Sequence, residues 1–121
     1  MNDINDTRVW QRVVERLVSM TSAGELDWED WSDKTHRPNA TSPLYVAEYK
    51  QWDILIYRTK EKYYYDEDVF EWQFDVSMEI VEDSGAIKWT LPKVPARNQL
   101  IDYIEYKRAH VDQLVNDLLN S

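Results

Sequence analysis

Phe70-Glu71-Trp72-Gln73-Phe74-Asp75-Val76-Ser77-Met78-Glu79-Ile80 is the stretch on which the fold turns. Phe70, Trp72, Phe74, Val76, Met78 and Ile80 alternate without a slip against Glu71, Gln73, Asp75, Ser77 and Glu79. A two-residue apolar period belongs to a β-strand, whose side chains point to opposite faces in turn. The spacing predicts a strand of an antiparallel sheet with one face on the core and an acidic face in water. Asp83-Ser84-Gly85 then predicts a tight turn into a further strand, Ala86 to Leu91. Upstream, Leu44 to Lys50 and Asp53 to Lys60 are β-rich runs around Gln51 and Trp52, which predicts a hairpin. Glu61 to Val69 stays open between strand and loop, because Tyr63, Tyr64 and Tyr65 are adjacent and cannot share one face of a strand.

Helical periodicity flanks these strands. Val9, Trp10, Val13, Val14, Leu17 and Val18 form one stripe, Asp6 or Thr7 can cap the first amides, and Gly24 supplies a left-handed stop, so a helix is expected over Thr7 to Ala23. Pro92 and Pro95 end the strand pattern. Beyond them Leu100, Ile101, Ile104, Val111, Leu114, Val115 and Leu118 lie on one stripe of a C-terminal helix, either with Lys107 snorkelling from that stripe or with a break near Ala109. Ser32 to Pro43, with two prolines and Ala40 as its one apolar residue outside them, is expected to be an exposed loop. The order implies an α+β fold: a four- or five-stranded antiparallel β-meander with both amphipathic helices packed on one face.

At 121 residues the chain is expected to form a single domain, residues 1–121, with one core. It has no cysteine, which excludes disulfides, thiolate nucleophiles and cysteine-ligated metals and fits a cytoplasmic, reducing setting. No apolar run reaches signal-peptide or membrane-span length, so neither is expected. With 23 acidic against 14 basic residues, the formal charge of −9 opposes direct nucleic-acid binding and anionic lipid surfaces. Five of the acids lie between Glu25 and Asp33 and nine between Glu61 and Asp83. Solubility accounts for such clusters, and an acidic face that recruits a basic partner is the sharper alternative.

Thr21-Ser22-Ala23-Gly24-Glu25-Leu26-Asp27-Trp28, after an amphipathic helix and before a tyrosine-containing hairpin, resembles the T-x-x-G-x-L-x-W signature of small stand-alone bacterial and phage domains of unsettled function. The spacing of Leu100, Ile104, Val111, Val115 and Leu118 is also similar. The resemblance implies the same fold and an intracellular bacterial or phage setting, and it supplies no catalytic residues.

Core-building leaves a few aromatics unexplained. If Glu25 to Trp31 is extended, Trp28 joins Leu26 on the core face and Trp31 shares the other with carboxylates, a candidate surface anchor; in a helix both could be core. Trp52 stands at the expected hairpin tip in place of a usual turn residue, or packs in the sheet if the turn lies earlier. Tyr45, Tyr49 and Tyr57 are expected on the helix-free face with Ala47 and Leu55, opposite Leu44, Val46, Ile54 and Ile56. Tyrosine suits any pleated surface, and a wet tyrosine face also binds partners or pairs into a homodimer, against which charge repulsion favours a monomer.

Catalytic signatures are missing. Two isolated glycines build neither a dinucleotide fingerprint nor a phosphate loop, and His36 and His110 form no metalloprotease arrangement. Asp66-Glu67-Asp68 lacks the glycine and distal glutamate of a calcium loop, and Glu71, Asp75 and Glu79 are expected to be ordinary solubilising residues of a wet strand face. The expectation is a non-enzymatic acidic interaction domain without cofactor or metal, docking a basic protein partner through Trp31, Trp52, Tyr45, Tyr49 and Tyr57. The alternatives are a small-ligand receptor that stacks a planar or cationic molecule, and an acidic nucleic-acid mimic that acts as an inhibitor.

Overall fold

The computed structural model describes residues 6–121, so the reading of the first five residues lies outside it. Helix α1 (Thr7–Ser22) leads into five strands, β1 (Glu29–Asp30), β2 (Tyr45–Tyr49), β3 (Trp52–Asp66), β4 (Val69–Val81) and β5 (Ile87–Thr90). Helices α2 (Ala96–Arg108) and α3 (Val111–Leu119) follow. The strands pair antiparallel in chain order, β1-β2-β3-β4-β5, giving the expected α+β meander with α1 and α2 on one face. The Asp6 side chain accepts the Arg8 amide at 2.9 Å as the cap of α1, and Gly24 at φ 76° takes the left-handed stop.

The core lies between the helices and one sheet face. Val14 and Leu17 of α1 and Leu100, Ile101 and Ile104 of α2 pack on Tyr45, Ala47, Ile56, Val76 and Met78, with Leu26 and Trp28 closing the β1 edge. Trp28 is a core residue, as extended backbone implies, and its indole Nε1 donates to Thr21 Oγ1 at 2.9 Å, which satisfies the polar end of a buried ring.

The β2–β3 register corrects the expected tyrosine face. Tyr49 pairs with Trp52 across a two-residue turn in which Lys50 is left-handed, φ 54°. An even-length turn sets odd-numbered residues opposite even-numbered ones, so Tyr45 faces Ile56 and Ala47 faces Ile54 on the helix side. Leu44, Val46, Leu55 and Tyr57 occupy the other side, together with Val81.

That second side is not wet, and the segment expected to be an exposed loop is what covers it. Trp31 and Ala40 pack on Leu44, Val46, Leu55 and Tyr57, and Ala40 bridges Thr59. Arg37 fixes the cover: its guanidinium donates to Glu79 at 2.9 Å and to the Gly85 carbonyl at 2.7 Å, while Glu79 accepts the Tyr57 hydroxyl at 2.9 Å. Glu79 is only 3% exposed, so it is a buried anchor and not the expected solubilising carboxylate. Gly85 is needed here because, besides φ 91°, a Cβ would stand 2.4 Å from Thr35 Cβ.

Two further departures have geometric causes. The C-terminal helix takes the broken form: Ala109 ends α2, and His110 at φ 56° turns the chain into α3. Residues 61–66 are strand, continuing β3 beyond the helices in register with β4, with a shift at Tyr65. Phe70, Trp72 and Phe74, expected in the core, are therefore exposed.

Leu100 is fully buried at the centre of the helix–sheet layer. Leu100→Ala is expected to cost about 2–5 kcal/mol, as burial lost plus a cavity, read as a lower midpoint in urea unfolding with an unchanged slope.

Candidate functional site

The β3–β4 ribbon divides into a root and an arm. From Asp53 to Thr59 and from Asp75 to Val81 it lies between helices and loop; from Glu61 to Asp66 and from Val69 to Phe74 it projects, exposed on both faces, over about 20 Å at a strand's usual rise. Asp75 marks the boundary. It accepts from Arg97 and Lys93, and Arg97 also donates to the Val76 carbonyl at 2.9 Å, so the segment around α2 is clamped to the strand where the cover ends.

One face of the arm is aromatic. Register sets Lys60 opposite Phe74, Lys62 opposite Trp72 and Tyr64 opposite Phe70, on the face that carries Ile56, Val76 and Met78 at the root. Trp72 is 46% exposed and Phe74 73%. The rings order one another: Phe70 meets Trp72 edge-on with centroids 5.6 Å apart, and Tyr64 meets Phe70 at 5.7 Å. Lys60 Nζ stands 4.1 Å from the Trp72 centroid and Lys62 Nζ 4.5 Å from that of Phe70, partly shielding the π faces. The opposite face carries Tyr63 against Tyr65, centroids 5.2 Å apart, and the Tyr65 hydroxyl donates to Glu71, a bond that raises the Tyr65 pKa.

The residues singled out from sequence fall in three places. Tyr45 is 6% exposed and Tyr57 7%, so neither offers a contact surface. Burial and the hydrogen bond to Glu79 push the Tyr57 hydroxyl up to about 12. Trp31 is half-buried at the edge of the second face, with Lys34 Nζ 3.8 Å above its ring. Beside it opens a cleft of about 280 Å³ lined by Glu25, Asp27, Glu29, Glu48 and Asp53. Burial, with Asp83 and Glu48 nearby, raises the Asp53 carboxyl pKa.

Tyr49 and Trp52 come together at the end of the sheet opposite the arm. They join Ile54, Ile80 and Leu91 in the floor of an apolar groove of about 840 Å³, whose wall is Val9, Val13 and Met20 of α1. Arg12 and Arg16 stand on its rim, and neither guanidinium has a partner among the described residues. The other flank of α1 binds α2, with Gln11 accepting the Ala96 amide and Ser22 the Tyr103 hydroxyl.

Sequence reasoning missed Tyr64, Phe70, Trp72 and Phe74 as surface residues, but a signal was present. Arg58, Lys60 and Lys62 follow Ile54 and Ile56 on the same face of β3, so the face turns cationic where β4 stays aromatic. Among the described residues no group of histidines or carboxylates is placed to hold a metal ion, and no helix is long and apolar enough to cross a membrane. Comparison with protein-family models, curated proteins and solved structures returned no match to this chain.

Burial alone would raise the Asp75 carboxyl, but the hydrogen bonds from Lys93, Arg97 and the Val76 amide outweigh it and hold the pKa near about 2, against an ordinary 3.8. A depressed carboxylate stabilises the fold above its unfolded pKa and loses that contribution as pH falls through the folded value. Asp75→Asn is therefore expected to lower the urea midpoint at neutral pH, with the gap to the native chain closing between pH 3.8 and about 2.

Proposed function

We propose that this chain is a non-enzymatic interaction domain that docks a protein partner through the aromatic face of the β3–β4 arm. The observation that supports this reading most is the ladder of Tyr64, Phe70, Trp72 and Phe74, held on one face of a ribbon that nothing else in the described chain covers. A contiguous apolar surface raised clear of the body costs solubility and marks an interaction site in soluble domains. Its anchors are ordered by ring–ring contacts before binding, which lowers the entropy lost on docking. A basic rim on the partner suits the net charge of −9 and the Asp66-Glu67-Asp68 tip, which would speed encounter. The absence of cysteine suits a cytoplasmic setting.

A second reading, a small-ligand receptor, is favoured by the groove at Tyr49 and Trp52. Arg12 and Arg16 on its rim oppose a cationic ligand and select an apolar molecule that carries negative charge.

The test is affinity measured between purified proteins, with the partner first identified by cross-linking from a photoreactive residue at position 73. Trp72→Ala with Phe74→Ala is expected to weaken binding at least tenfold, about 1.4 kcal/mol, while Tyr106→Ala on α2 leaves it unchanged. A folded double variant that binds as the native chain does would remove the arm from the account.

A further inference from the structure

Helix α3 is amphipathic, yet its apolar stripe has no cover among the described residues. Leu114, Val115 and Leu118 repeat at one-turn spacing, Leu118 is 67% exposed, and α3 has no buried residue. Its one packing partner among the described elements is α2. At 100° per residue, Asp112 and Asp117 fall on opposite flanks of the stripe, and no basic residue lies between Val111 and Ser121.

The groove has the complementary character. Its floor and wall are apolar, and the charged residues at its rim are Arg12 and Arg16. It runs along the flank of α1 that faces away from α2, so a helix lying in it would be the third in a layer over the sheet. Whichever way such a helix were seated, one of the two aspartates would face the α1 wall and its arginines.

We propose that this groove is the seat of α3 from a second copy of the chain, and that two copies exchange these helices reciprocally about a two-fold axis. Leu114, Val115 and Leu118 cover Tyr49, Trp52 and Ile54 while aspartate meets Arg12 or Arg16. An isologous contact of this kind buries both orphan surfaces twice with one interface. Paired opposite charges at its rim offset locally the repulsion between two acidic chains. This dimer does not use the expected tyrosine face, and it leaves the arm outside the interface.

The experiment is sedimentation equilibrium on the native chain and two charge-reversal variants, Arg12→Glu with Arg16→Glu, and Asp112→Lys with Asp117→Lys. All four positions are exposed, and cooperative thermal melts verify folding. The native chain is expected at the dimer mass, each variant alone at least tenfold weaker in self-association, and their equimolar mixture again dimeric, because reversed groove meets reversed helix and native meets native. Leu118→Glu, which changes no groove residue, is expected to dissociate the dimer by itself. Trp72→Ala should leave dimerisation unchanged, so loss of the arm's function and loss of this interface are separable. A native chain that stays monomeric, whether α3 folds onto its own groove or a fatty-acid probe occupies it, would overturn the proposal. So would variants that dimerise as tightly as the native chain, or a mixture that fails to recover the dimer.

Discussion

The β3–β4 ladder is the constraint on which the rest of the structure depends. Its strands span Trp52–Asp66 and Val69–Val81, whereas the helices and the loop cover only the half nearest Ile54 and Ile80. Backbone hydrogen bonding continues through the uncovered half because register, once fixed at the root, propagates along both strands. Burial does not follow it. The result is a ribbon with one end in the core and the other in water, whose apolar side chains change role along a single unbroken pattern.

Fixing the root takes two opposed covers. On one face, Leu100, Ile101 and Ile104 of α2 press on Ile56 and Met78 with no polar group to satisfy. On the other, the loop between Trp31 and Pro43 would have too little apolar surface to stay down unaided, and Arg37 supplies the attachment by bonding both Glu79 and the Gly85 carbonyl. A buried ion pair carries a desolvation cost, offset here by the Tyr57 hydroxyl and by Thr35, which share the remaining valences. No buried side-chain polar atom among the described residues is left without a partner.

The fold was legible because its strongest signals are local. The stripe from Val9 to Val18, the alternation from Phe70 to Ile80 and the glycines at 24 and 85 each report on backbone geometry within a few residues. The candidate site was legible only in part. Trp31 and Trp28 separated correctly because alternation decides their faces. Tyr45 and Tyr57 did not, because their faces depend on the turn at Lys50-Gln51 being two residues long, which no turn residue announces. Alternation also cannot say where cover stops: Val76 and Phe74 have the same pattern, and only the position of the α2 segment, clamped at Asp75, makes one buried and the other wet.

In the isolated chain the arm is formed yet uncovered, and native-state hydrogen exchange tests this most directly. Root amides from Ile54 to Tyr57 and from Val76 to Ile80 should exchange only through global unfolding. Arm amides of Glu61, Tyr63, Glu71 and Gln73, which face across the ladder while their neighbours point outward, should exchange through local opening, far faster than the root but slower than an unstructured chain. Those amides protected as strongly as the root would mean that another surface already covers the aromatic face, and those amides exchanging at the rate of an unstructured chain would mean that the face is not preformed; either result would contradict the account.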